Sequence, residues 1–141
     1  MNSLIESIKG AVAITATTGA AAATDLEGAV FDTQGYDGVL CIVTMGAITS
    51  GAVTSLKLQT GTDAAMATAV DVTGSSITVA DTDDDKVFAL DIRRPLKRYM
   101  WVYADRATQN AVIENAVYIG YKSDAQPDAS GFDDTSKVAN I

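Results

Sequence analysis

The stretch 36–60, "YDGVLCIVTMGAITSGAVTSLKLQT", decides the fold class of this chain. In its second half Leu56 and Leu58 alternate with polar residues, and a period of two is typical of a strand with one buried face. In its first half the run "VLCIV" at 39–43 is apolar at every position. Such a run predicts an interior strand of a sheet, or a strand whose outer face is covered by a partner.

The same pattern of short apolar runs, separated by Gly, Asp, Ser and Thr, extends outward from residue 26 to residue 121. It predicts eight strands, at 26–33, 36–45, 53–60, 69–72, 76–80, 86–92, 97–104 and 111–121. Glu114 and Asn115 interrupt both faces of the last strand, which predicts a bulge there. Because parallel sheets need long crossovers, we expect an all-β fold, an antiparallel β-sandwich or jelly roll of about eight strands.

Both ends of the chain depart from this strand pattern. Ser3 and Glu6 have the spacing of a capping box, which predicts one or two helical turns ending at Gly10. The stretch 11–25 has almost no charged or large side chain, which favours an extended arm lying on another surface. We therefore expect an N-terminal arm at 1–24, a β-sandwich domain at 25–122 and an acidic C-terminal tail at 123–141.

The tail is polar, and such a segment does not bury enough apolar surface to fold alone. It is therefore either a frayed terminus or a segment ordered by contact with another chain. In the second case its large apolar side chains, Phe132, Val138 and Ile141, are the expected anchors.

The charge balance argues against nucleic acid and against anionic membranes as partners. The chain has 18 acidic and 10 basic residues, a net charge of −8, whereas binding to phosphate rests on Lys and Arg that displace counterions. No run approaches the roughly 20 apolar residues of a membrane span. We expect a soluble protein made in a cytosol.

The residue types also argue against catalysis. The chain has no His, which is the commonest general base and transition-metal ligand. Its one cysteine, Cys41, lies in an apolar run, which predicts a buried thiol and excludes an internal disulfide. Neither a serine-nucleophile elbow nor a phosphate-binding loop is present. We expect no enzyme, no cofactor and no metal centre.

The acidic run "DTDDDK" at 81–86 raises the alternative of a calcium site, because hard cations take several carboxylate oxygens. A calcium-binding loop of the EF-hand type starting at Asp81 requires Gly at its sixth position and Glu at its twelfth, where this chain has Lys86 and Ile92. A solvated loop is therefore the favoured interpretation.

A second charged run, "RRPLKR" at 93–98, lies between two predicted strands, and Pro95 predicts a hairpin turn there. Tyr99, Trp101 and Tyr103 follow at alternate positions and are expected on one side of the sheet. The acidic and cationic runs flank the strand 86–92 and are expected about 20 Å apart. Our hypothesis is that each meets a complementary charge on a neighbouring molecule. The candidate interface residues are Arg93, Arg94, Lys97, Arg98, Asp83, Asp84, Asp85 and Phe132.

Four segments together resemble the small head proteins of tailed bacteriophages, in particular the decoration or cement proteins of HK97-like capsids. They are "FDTQGYDGVLCIVTMGAITSGAVTSLKLQTGTD" at 31–63, "VDVTGSS" at 70–76, "KRYMWVYADRAT" at 97–108 and "AVIENAVYIGYKSDAQP" at 111–127. The order and spacing of their short motifs carry the resemblance, which covers most of the chain. The Ala-rich stretch near the N-terminus and the acidic tail lie outside it.

The resemblance implies a structural virion protein without catalytic residues, made in the host bacterial cytoplasm and located on the capsid surface. The implied partners are the major capsid protein and further copies of the chain, as a dimer or trimer on the lattice. Two alternatives stay open, a lectin-like host-attachment module and a tail or neck component of the same virion.

Overall fold

In a computed structural model, which describes residues 3–124 and 131–132, the alternating runs form strands and the turn residues separate them. The described residues form one short 3₁₀ turn, Leu4–Ser7, and ten strands. The strands are β1 (Lys9–Ile14), β2 (Leu26–Glu27), β3 (Phe31–Asp32), β4 (Gly38–Ile48), β5 (Val53–Gly61), β6 (Val70–Asp71), β7 (Ile77–Val79), β8 (Val87–Arg93), β9 (Tyr99–Ala107) and β10 (Ala111–Tyr121).

The strands make two antiparallel sheets that pack as a sandwich, which confirms the all-β prediction. The four-stranded sheet has the order β1-β10-β4-β8. The six-stranded sheet has the order β2-β9-β5-β6, with β3 also pairing with β9 and β7 with β5. The run at 39–43 lies in β4, between β10 and β8, so the predicted interior strand is confirmed. The bulge is confirmed as well, because the register of β10 against β4 shifts between Ile113 and Asn115.

The core lies between the sheets and is built from alternate residues of the long strands. Most of its members are small or β-branched residues. Cys41 is buried among them, and desolvation raises the pKa of its thiol to about 12. Tyr118 is the largest fully buried side chain, and its hydroxyl accepts from the Val102 N–H at 2.8 Å and donates to the Ala29 carbonyl at 2.7 Å. The side chains with no exposed surface include Val39, Val43, Met45, Leu56, Leu58, Met100, Val102 and Ile113.

The predicted N-terminal arm is wrong for Lys9–Ile14, which form the edge strand β1 on β10. A strand needs only backbone pairing on one side and a few buried side chains, and Ile14 provides one at 2% exposed. The following residues also pack on the sandwich. Gly19 approaches Ile113 so closely that a Cβ would overlap its carbonyl oxygen, and Ala22 forms an isolated bridge with Ala111. The helical turn is present, but it ends at Ser7 rather than at Gly10.

Two strand predictions also need correction. The expected strand 26–33 divides into β2 and β3, which both pair with β9, because the Ala29 N–H donates to the Ala13 carbonyl and the Ala29 carbonyl accepts from Tyr118 instead of pairing with β9. The expected hairpin at 93–98 is a crossover between the sheets, since β8 pairs with β4 and β9 pairs with β5. Pro95 favours a turn there, but it does not determine the strands with which β8 and β9 pair. Val138 and Ile141 lie outside the described residues.

Candidate interaction surfaces

The cationic turn, residues 93–98, joins β8 to β9 at one end of the sandwich. Arg98 forms a bidentate ion pair with Asp32, at 2.9 and 2.7 Å, and this hydrogen bonding holds the pKa of Asp32 below its usual value. Arg93 and Arg94 share the carboxylate of Asp37, at 3.3 and 3.8 Å. The ion pairs with Asp32 and Asp37 show that three of the four predicted interface cations also have partners within the chain.

A groove of about 310 Å³ lies beside the cationic turn, between residues 92–97 and residues 70–73 at the edge of the other sheet. Leu96 at the tip of the turn is almost fully exposed. The long side chains of Arg93 and Arg94 remain mostly exposed despite their shared partner. This end of the sandwich therefore presents positive charge around an open groove.

The acidic turn, residues 81–85, precedes β8 at the opposite end of that strand, as predicted. Asp83 accepts from the Ala80 N–H at 2.8 Å and from Lys86 at 3.0 Å. Both bonds lower the pKa of Asp83, and the backbone bond has the larger effect. Asp83 therefore holds the turn, whereas Asp84 and Asp85 are exposed. Within the described residues no three His, Cys, Asp or Glu side chains come together as potential metal ligands.

The outward side of the six-stranded sheet, called the aromatic face, carries Tyr99, Trp101 and Tyr103 along β9. All three are half-buried and share one side, as expected, while the residues between them point into the core. The Trp101 Nε1–H donates to Gln59 at 2.7 Å. Lys57 lies 5.0 Å from the centre of the Tyr103 ring, and a hydrogen bond to Asp25 raises the pKa of that tyrosine to about 12.

The outward side of the four-stranded sheet, called the apolar face, carries a row of aliphatic side chains instead of aromatic ones. Direct strand pairing places Val12, Val117, Ile42 and Ala89 in one row across all four strands. The next row brings Ile119 of β10 beside Leu40 of β4 and ends at Asp91 of β8, and a groove of about 360 Å³ lies between this row and Leu4 and Tyr121. The sequence carried one signal for this surface, which was the run at 39–43 with apolar residues on both faces of the strand.

Of the three side chains predicted to anchor the tail, the structure describes Phe132, and this residue lies on the apolar face. Its ring packs against Gly10 of β1, where a Cβ would stand 2.7 Å from the ring. It also lines a groove of about 210 Å³ with Val12, Val117 and Ile119. The structure therefore groups this predicted interface residue with the apolar face and not with either charged turn.

The predicted interface residues consequently belong to three separate places. The cationic turn and the acidic turn lie at opposite ends of β8, and Phe132 lies across the sheet at the β1 edge. In the described part of the chain, no helix is long and apolar enough to cross a membrane.

No protein-family model matches this sequence, and no curated protein matches it. Among solved structures the chain is similar to a xylan-binding module CBM15, with a TM-score of 0.47 and 15% identity, covering 88% of this chain and 96% of that chain. It is also similar to dimeric latent PorU from Porphyromonas gingivalis, with a TM-score of 0.44 and 10% identity, covering 84% of this chain and 13% of PorU. Likenesses as distant as these leave the function of the chain to be argued from its own surfaces.

Proposed function

We propose that the protein is a capsid decoration protein of a tailed bacteriophage, which binds the outer surface of the major capsid protein lattice. The observation that carries the proposal is the apolar face. It is a continuous row of aliphatic side chains across four strands, with Val12 and Val87 well exposed. Soluble monomers rarely expose contiguous apolar patches beyond a few hundred Å², so a face of this kind supports a role in binding another protein.

The size of the apolar face fits such a role. Strands of six to eleven residues spaced about 4.8 Å apart give a face of roughly 600 Å². Standard interfaces bury about 800 Å² per partner, so one face supports binding of modest strength. On a lattice with many equivalent sites, modest contacts that act together give avidity. A protein that bridges neighbouring subunits in this way stabilises the shell against internal DNA pressure.

The test uses shells assembled from the major capsid protein of the virus that encodes this chain. We expect the protein to bind them and to raise their melting temperature. Ile119→Asp, which places a carboxylate in the middle of the apolar face, should abolish both effects. Val53→Asp is the matched control, because Val53 is 61% exposed but lies on the other sheet. The proposal fails if the wild-type protein does not bind shells, or if the two variants bind equally.

A second candidate function, a glycan-binding module, is favoured by the aromatic face. Three aromatic side chains in line, flanked by the amide of Gln59, offer a ring for sugar stacking and groups for hydrogen bonding. However, Lys57 and Arg98 already lie over the rings of Tyr103 and Tyr99, at 5.0 and 5.1 Å. A glycan array is the test, since binding that Trp101→Ala removes would support this function in place of shell binding.

A further inference from the structure

We propose that two copies of this chain join edge to edge through antiparallel pairing of β8. The starting observation is that β8 is the outermost strand of the four-stranded sheet and pairs, among the described residues, with β4 alone. It runs for seven residues without proline or bulge. Natural proteins usually protect an edge of this length by a bulge, a proline or an inward-pointing charge, and the core-facing residues Phe88, Leu90 and Ile92 are all apolar.

The hydrogen-bond directions show which backbone groups are available. The Lys86 carbonyl accepts from Met45, and the Arg94 N–H donates to Asp37, so both groups point toward the β4 side. In an antiparallel ladder the direction alternates along the strand, and the even-numbered residues between them therefore also point to β4. The N–H and C=O groups of the odd-numbered residues, Val87, Ala89, Asp91 and Arg93, face away from β4, with no partner in the described part of the chain.

Charge selects the direction in which a second copy pairs. The acidic turn precedes β8 and the cationic turn follows it, so the strand carries opposite charges at its two ends. A parallel neighbour would place like charges together at both ends. An antiparallel second copy instead places Asp84 and Asp85 of each chain beside Arg94 and Lys97 of the other, twice by symmetry. The open groove of about 310 Å³ at the cationic turn gives the partner's acidic turn a place to lie.

Such pairing is closed with two copies, because a twofold axis uses the same strand from both. It covers Phe88, which is half-buried at the edge of the core, and Val87, which is 62% exposed. It also joins the two four-stranded sheets into one of eight strands, which makes the two apolar faces continuous. The proposal stands whether or not the apolar face binds a capsid, because the edge pairing uses the backbone groups along the outer edge of β8, whereas binding to a shell uses the outward side chains of the sheet.

The test measures the mass of the purified chain in solution by sedimentation or light scattering. We expect the wild-type protein to be a dimer, and we expect the fraction of dimer to fall as the salt concentration is raised, because salt screens the exposed charges. The variant R94E/K97E brings acidic groups together at both ends and should be monomeric. The variant D84K/D85K brings cations together and should be monomeric too. Melting temperatures near that of the wild-type protein would show that both variants are folded.

Mixing the two variants is the decisive step. In a mixed pair, native charges meet at one end and reversed charges meet at the other, so we expect the equimolar mixture to recover the dimer. A monomeric wild-type protein, a trimer or a mixture that stays monomeric would overturn the proposal.

A backbone variant tests the strand pairing separately from the charges. Ala89→Pro removes an outward-facing N–H from the middle of the edge, whereas Ala89→Ser keeps it. We expect dimers with serine and monomers with proline, and equal dimerisation of the two would overturn the proposed pairing.

Discussion

Arg106 is a charged residue on the core-facing side of β9, and only 3% of its surface is exposed. Its guanidinium donates to the carbonyl oxygens of Ala20, Thr24 and Ala111, at 3.0, 2.9 and 3.1 Å. Desolvation lowers the pKa of Arg106, although nearby Asp25 opposes this. The bonds to Ala20 and Thr24 fasten the segment after β1 to the sandwich, and the third bond joins β9 to Ala111 of β10. Strand alternation places Arg106 inward, but no pattern in the sequence shows which carbonyl groups it must reach.

Replacing Arg106 by leucine removes the donor to all three carbonyl groups and leaves the buried Ala111 carbonyl without this bond. Because an unpaired buried polar group costs about 1–3 kcal/mol, we expect Arg106→Leu to lower the free energy of unfolding by about 3 kcal/mol in urea titrations. Arg98→Leu is the comparison, since its ion pair with Asp32 is exposed to solvent and exposed pairs contribute little. Equal losses at the two positions would contradict the role of Arg106.

The ion pair between Arg98 and Asp32 has a consequence for pH. Hydrogen bonding to Arg98 lowers the pKa of Asp32 in the folded state below the ordinary value of 3.8. The stabilisation is therefore present above pH 3.8 and is lost as the pH falls through the lower folded pKa. We expect the wild-type protein to be more stable than Asp32→Asn at neutral pH, and the difference to shrink in acid. Urea titrations across this range measure it, and a difference independent of pH would refute the prediction.

At the scale of elements, the long strands were predictable and their partners were not. β4, β5, β8 and β10 follow from local alternation and apolar runs, because each has one face in the core. β1 escaped prediction since "KGAVAI" contains mostly small residues, and its place depends on the distant β10. The crossover at 93–98 has the same local signals as a hairpin.

The candidate surfaces were also predictable only where they depend on residues close together in the sequence. The positions of the charged turns followed from the length of one strand, whereas the apolar face needed the alignment of four strands that are distant in sequence. The one local hint was the outward pair Leu40 and Ile42 within the run at 39–43.

The membership of β1 in the sandwich has a direct test. Ile14 is 2% exposed and Val12 is 58% exposed on the same strand. Truncation of a buried isoleucine typically costs about 2–5 kcal/mol, so we expect Ile14→Ala to lower the free energy of unfolding by about 3 kcal/mol. Val12→Ala should change it by less than about 0.5 kcal/mol. If residues 1–24 were an arm outside the core, the two variants would behave alike in urea titrations.

At the scale of the whole molecule, the two outer faces differ in chemistry. The apolar face carries aliphatic side chains with Asp91 and Arg93 at its β8 edge, whereas the aromatic face carries Lys57, Gln59 and several carboxylates beside its rings. Water solvates the second face well and the first poorly. In the proposed decoration role, the four-stranded sheet would face the shell and the six-stranded sheet would face solvent. The proposed edge pairing through β8 would keep both copies in the same orientation, with their apolar faces on one side.

Trp101 makes this orientation measurable, because it is the single tryptophan of the chain and lies on the aromatic face. Replacing it biosynthetically by 5-hydroxytryptophan allows excitation apart from the tryptophans of the shell. We expect acrylamide to quench the labelled residue equally in the free and the shell-bound protein, since the face toward solvent stays uncovered. Phe132→Trp in a Trp101→Phe background is the matched probe on the apolar face, and its quenching should fall on binding. If binding to the shell reduces acrylamide quenching at position 101 and leaves quenching at position 132 unchanged, the six-stranded sheet contacts the shell. That result would reverse the proposed orientation.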